Sequence, residues 1–142
     1  MEAGARSEPP DPRVVLVGSM PVTEAMTRLA PELGLQTVMV TDGGAEPSGA
    51  DLALVAASHR PDELPALRGA LAAGVPYVGL VASRRRGAAV LGELRAGGVA
   101  EEALARVDTP AGFDIGATTP GEIALAILAR IVEVRRAADR GR

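Results

Sequence analysis

Four short runs of β-branched and aliphatic residues, separated or followed by stretches with helical spacing, constrain this chain more than anything else in it. Arg13 to Gly18 reads RVVLVG, and similar runs span Thr37 to Thr41, Asp51 to Ala57 and Tyr77 to Val81. A strand that alternates polar and apolar residues buries one face, whereas a strand apolar throughout is covered on both. Between or after the runs, residues 22–33, 61–73, 84–96 and 121–136 repeat apolar side chains at helical spacing. Strands that alternate with helices join through right-handed βαβ crossovers into a parallel sheet. The expectation is an α/β domain: a three-layer Rossmann-like arrangement of about five parallel strands, in the order 3-2-1-4-5, with helices on both faces.

Local chemistry marks the helix ends. Thr119-Pro120-Gly121-Glu122 places a capping threonine, an early proline and a glutamate that reaches back, a capping box, and Ser83 precedes the third helix in the same role. After Thr119, Ile123, Ile127, Ile131 and Val134 recur on one face, with Leu125 and Leu128 widening the stripe. Glu101 to Ala105 reads as a short helix and 105–108 as a short fifth strand. At 142 residues the length suits one domain. Residues 1–12, with three prolines and no apolar periodicity, are expected to be a disordered tail, 13–137 the domain, and 138–142 a second tail.

Composition removes whole classes of chemistry. The chain has no cysteine, so it has no thiolate metal site, disulfide or cysteine nucleophile. All 15 basic residues are arginine, which excludes an intact Walker A lysine and Schiff-base catalysis. A single histidine rules out zinc sites built on several imidazoles. Two aromatic residues and a net charge of −3 argue against nucleic-acid binding. With no signal peptide and no run long enough to span a bilayer, the expected location is cytoplasmic, away from membranes. No metal ligand set and no catalytic residue is assigned, and no independent catalytic activity is expected.

In an open parallel sheet, ligands gather at the carboxyl ends of the strands. The first such segment occupies the place of a G-x-G-x-x-G loop but reads Gly18-Ser19-Met20-Pro21-Val22-Thr23. Met20 puts a side chain where backbone would approach a pyrophosphate, Pro21 removes an amide donor, and Thr23 crowds the helix against its strand. NAD and NADP are therefore expected to bind weakly or not at all. Asp42 follows the second strand, either as a ribose-binding carboxylate or as a turn residue before Gly43. His59 ends the third strand, as a ligand contact or as a turn residue. Arg84, Arg85 and Arg86 open a helix whose dipole prefers anions, so they form either a phosphate site facing the Gly18 turn or a solvated face. Asp114, in the glycine-flanked loop Gly112-Phe113-Asp114-Ile115-Gly116, either faces the crevice or caps a turn.

Two of these stretches carry a resemblance to a known family. Gly112 through Leu128, GFDIGATTPGEIALAIL, continuing to Ile131-Val132 and Arg135-Arg136, closely resembles the end of XdhC/CoxI family proteins, and Tyr77 to Arg86, YVGLVASRRR, resembles that family's Y-I-G-L-x-G-S-R-R-K. Ser58-His59 matches its threonine-histidine. The resemblance covers residues 13 to about 137. It implies a Rossmann-type accessory factor for molybdenum hydroxylases such as xanthine dehydrogenase and carbon monoxide dehydrogenase. Such a factor would bind, sulfurate or insert molybdopterin, with Gly18, Ser19, Met20, Asp42, His59, Ser83, Arg84, Arg85 and Asp114 as cofactor-binding candidates. The implied partners are a molybdenum hydroxylase apoenzyme, a separate chain supplying the family's N-terminal domain, and a second copy in a homodimer. The family's G-A-G-H-V-A loop is replaced here, its aspartate ending the second strand is Thr41, and its glycine before the serine is Ala82. The alternative is an NAD(P)-dependent, oxidoreductase-like nucleotide-binding protein with a degenerate phosphate loop.

Overall fold

The computed structural model describes residues 11–41, 47–58 and 63–141. Five parallel strands form one sheet: β1 (Arg13–Val17), β2 (Gln36–Val40), β3 (Ala53–Ala56), β4 (Tyr77–Leu80) and β5 (Val107–Asp108). Helices α1 (Pro21–Leu29) and α5 (Pro120–Arg140) cover one face, and α2 (Glu63–Ala73), α3 (Arg84–Ala96) and α4 (Glu101–Leu104) the other. Each strand feeds both layers because successive side chains alternate. Val14, Leu16, Ala53, Val55 and Tyr77 meet α1 and α5, whereas Val15, Val17, Leu54, Ala56 and Val78 meet α2 and α3. This three-layer α/β architecture is the one the alternating runs imply.

The strand order is β2-β1-β3-β4-β5, which corrects the expected 3-2-1-4-5. Burial explains the difference. All four residues of β3 are buried, as a strand between two neighbours and two helical layers must be, whereas β2 begins with exposed Gln36 and is only half-buried beyond it. The edge therefore falls to β2, and β3 separates β1 from β4.

Helix ends follow the local signals. Glu122 N donates to Thr119 Oγ1 at 3.2 Å, while Glu122 Oε1 accepts from the amides of Thr118 and Thr119 at 2.9 and 3.2 Å. Those amides hold the Glu122 carboxyl below its ordinary value. Ser83 Oγ accepts from Arg86 N at 3.1 Å. Helix α1 closes in a 3-10 turn over Ala30–Leu33, and α5 runs one turn beyond the expected Arg136, to Arg140. Among the described residues no helix is long and apolar enough to cross a membrane.

The β1–α1 turn is self-contained. Thr23, expected to crowd the helix, instead staples it: fully buried, its hydroxyl donates to Gly18 O at 2.6 Å and accepts from Met20 N at 2.9 Å. Gly18 has φ +99°, and a Cβ there would lie 2.6 Å from Ser58 Cα, so only glycine lets the ends of β1 and β3 come this close. At the opposite end of the sheet, Arg13 Nε donates to Asp51 Oδ1 at 2.5 Å and Ser48 N donates to Oδ2 at 2.9 Å. The Arg13 hydrogen bond holds the buried Asp51 carboxyl below its ordinary 3.8.

Two outcomes follow. Gly18→Ala is expected to cost about 2–4 kcal/mol in urea unfolding, because a left-handed residue and a backbone clash coincide; a loss under about 0.5 kcal/mol would contradict the packing. The Arg13–Asp51 pair stabilises the fold fully above the ordinary carboxylate value of 3.8 and loses that contribution as pH falls below it, through the lowered folded-state value. Asp51→Asn should therefore cost about 1–2 kcal/mol at neutral pH, with screening at the half-exposed arginine keeping the figure low, and flatten the acid limb of the stability curve.

Candidate functional site

The site is built outward from β4. Tyr77 and Gly79 project from the same face, and a Cβ on Gly79 would sit 2.8 Å from the Tyr77 ring, so the glycine lets the ring lie along the strand. The phenol then donates to Asp108 Oδ2 at 2.6 Å, across to β5. Burial first, and the Asp108 carboxylate second, push the Tyr77 hydroxyl well above its ordinary 10.0, so it remains a donor at neutral pH. Gly112 N donates to the same oxygen at 2.9 Å. Gly112 has φ +96°, and a Cβ there would stand 2.9 Å from the α5 backbone at Ala126 and Ile127. Phe113 N donates to Ala126 O at 3.3 Å, and the Arg130 guanidinium lies 4.2 Å from the Phe113 ring centroid, with Nε 3.7 Å from Asp108 Oδ2. The chain after β5 is thus fastened to strand and helix alike.

That fastened loop walls a pocket of about 570 Å³. Val81, Ala82, Ser83 and Arg84, leaving β4 and entering α3, form one side; Pro110, Ala111, Phe113, Asp114 and Ile115 form the other; Ile123 and Ala126 add apolar surface from α5. The lining is mostly aliphatic, with a cation, a hydroxyl and a carboxylate. A helix start with its capping serine and an arginine suits an anionic group, and the aliphatic walls suit a flat ring.

The three arginines divide. Arg84 lines the pocket, Arg85 is exposed outside it, and Arg86 turns inward to pair through Nη2 with Glu63 Oε1. Glu63, only 1% exposed, also accepts from Ser58 N at 2.8 Å. Part of the conflict between three cations and the α3 dipole is therefore relieved within the protein.

Of the sequence candidates, Ser83, Arg84 and Asp114 come together on the pocket. Gly18, Ser19 and Met20 lie at the end of β1 with β3 in between, so the Gly18 turn and the Ser83–Arg85 helix start do not end neighbouring strands as expected, and the turn does not line the pocket. The turn uses its own polar groups: Met20 N is taken by Thr23, and Ser19 Oγ donates to Glu24 Oε2 at 3.1 Å. Asp42 and His59 fall outside the described residues. Sequence reasoning missed Tyr77, Asp108 and Glu63. The readable signal was the only tyrosine in the chain placed two residues before a strand glycine.

A doubly covered parallel sheet with its polar and apolar lining at the carboxyl ends of the strands is a Rossmann-type domain. Residues 14–131 match the XdhC Rossmann domain, and the chain belongs to that family. It is 34% identical over 155 residues to the uncharacterized protein YqeB of Escherichia coli strain K12, across 92% of this chain and 28% of that protein. It shares its fold, at a TM-score of 0.74 and 19% identity, with the crystal structure of a xanthine dehydrogenase from Bacillus halodurans, over 90% of this chain and 44% of that one. The chain therefore spans less than half the length of either.

The Tyr77–Asp108 bond is tested by alkaline titration. Because the folded-state hydroxyl titrates above its ordinary 10.0, its contribution is full below that pH and lost as pH rises. Tyrosinate absorbance should stay flat through pH 10.0 and rise only with loss of helical circular dichroism. A simple titration at the ordinary value in the folded protein would contradict the bond, and Tyr77→Phe should cost about 1–2 kcal/mol.

Proposed function

We propose that this chain is an accessory domain for a molybdenum hydroxylase of the xanthine dehydrogenase type, holding molybdopterin before its transfer to the apoenzyme. The observation that carries the reading is convergence. The two stretches with the strongest family resemblance, Tyr77 to Arg86 and Gly112 to Leu128, lie apart in sequence yet supply both sides of one pocket. The residues fit the group. Arg84 and the α3 start that Ser83 caps would hold its phosphate, the apolar surface of Val81, Ile123 and Ala126 would pack against its pterin, and Asp114 would accept a hydrogen bond from a ring donor. When bound, molybdopterin supplies the metal-ligating dithiolene on which hydroxylase chemistry depends.

Under this reading Ser83, Arg84 and Asp114 bind and orient the group, and Val81, Ile123 and Ala126 shield it. With no cysteine, the chain has no thiol to carry sulfur as a persulfide, so sulfuration would fall to another protein and holding or insertion to this one. The partner under this reading is the apoenzyme. The nucleotide-binding alternative is weakened by the β1–α1 turn, whose Met20 amide is already bonded and whose glycine is packed on Ser58.

The absence of tryptophan makes a fluorescent pterin a clean probe. Pterin-6-carboxylate should show saturable quenching. Arg84→Gln should weaken it at least tenfold, about 1.4 kcal/mol, with little change in melting temperature, whereas NAD and NADP should bind no tighter than about 10 µM. Equal binding by the variant, or none by the wild type, would remove the reading.

A further inference from the structure

We propose that the solvent face of α5 is a self-association seam, on which a second copy of this chain packs antiparallel about a twofold axis at Ala129. One stripe along α5 carries Glu122, Leu125, Ala129, Val132, Arg136 and Asp139, exposed except at half-buried Ala129 and Val132. Their spacing of three and four residues is that of a heptad seam, which keeps one stripe facing one partner helix. Leu125 is 56% exposed, and Leu29 and Leu33 beside it are each 40% exposed. Among the described residues, three of the four large apolar side chains left exposed therefore sit on this patch. They border an apolar recess of about 380 Å³ formed with Leu128, Ala129 and Val132. A projecting leucine next to a recess on one surface is what an isologous contact requires, since each copy must supply both halves.

The charges choose the occupant and its direction. In an antiparallel pair centred on Ala129, Glu122 lies seven residues to one side and Arg136 seven to the other, so each faces its opposite on the second copy. Leu125 packs against Val132 twice, once on each side of the axis, and the two alanines meet at the centre, where a small side chain lets the helices approach closely. Asp139 falls opposite the α5 start of the other copy, where the helix dipole favours an anion. A parallel arrangement would set Glu122 on Glu122 and Arg136 on Arg136, which repels. The cation of Arg136 lies beside Asp139, with Nη1 and Oδ2 2.9 Å apart, and all three capping bonds to Glu122 go to Oε1. The seam and the pocket use different sides of α5, since the pocket takes Ile123 and Ala126, so this inference stands apart from the cofactor reading.

The chain has no native cysteine, which makes cross-linking decisive. Under mild copper–phenanthroline oxidation, Ala129→Cys should cross-link to itself, because residues on a twofold axis meet their own copies. Leu125→Cys and Val132→Cys should each link poorly alone but efficiently when the two variants are mixed. Ala88→Cys, exposed on α3 in the other helical layer, is the control and should not link. Sedimentation of the wild-type chain should give twice the 14.4 kDa chain mass, and Leu125→Glu should weaken association at least tenfold with helical circular dichroism unchanged. A wild-type monomer at all concentrations, self-linking of Leu125→Cys as efficient as that of Ala129→Cys, or linking of the control at the same rate would each overturn the proposal.

Discussion

One carboxylate, Asp108, holds the functional end of this domain together. It sits on a strand of only two residues, where backbone pairing alone would be weak, and it accepts from the Tyr77 hydroxyl and the Gly112 amide with the Arg130 guanidinium close by. Three pieces of chain meet through it: the strand that leads to α3, the loop that walls the pocket, and the helix that closes the domain. Charge-assisted hydrogen bonds of this kind are stronger than neutral ones and, when buried, costly to leave unmade. The pocket therefore has a wall whose position is set by the sheet.

The two ends of the sheet's carboxyl edge have diverged in use. Between β1 and β3 the described chain packs closely, with Gly18 pressed on Ser58 and the Met20 amide and Gly18 carbonyl both bonded to the Thr23 hydroxyl. Glu63 reinforces that closure from beneath α3 by drawing Arg86 inward and binding the Ser58 amide. Beyond β4 the space is open, and Ser83, Arg84 and Asp114 line it. A Rossmann-type frame thus keeps its geometry while its open pocket lies further along the edge, away from the place that a glycine-rich loop would occupy.

Helix α5 serves each layer it touches with a different side. Ala124, Ile127, Leu128 and Ile131 pack on the sheet and α1; Ile123 and Ala126 face the pocket loop; Leu125 faces solvent beside half-buried Ala129 and Val132. A 21-residue helix on strands of four or five residues has surface to spare, which is why it can build a core, a pocket and an outer seam together.

The sequence by itself determined the α/β class, the existence of the five strands and five helices among the described residues, and the capping chemistry at Ser83 and Thr119, because each rests on near neighbours in the chain: period, apolar pattern and cap spacing. It also marked Ser83, Arg84 and Asp114. Tertiary structure alone decided strand order, since residues 37–41 and 51–57 are apolar enough for either place and only the burial of Ala53–Ala56 assigns the interior one. That choice put β3 between β1 and β4 and parted the Gly18 turn from the arginines. It also fixed which arginine meets the pocket and which meets Glu63, and it created the Tyr77–Asp108–Arg130 link, whose members are separated by 31 and 22 positions. Contacts at that distance in sequence depend on how the whole chain closes, and no local pattern encodes them.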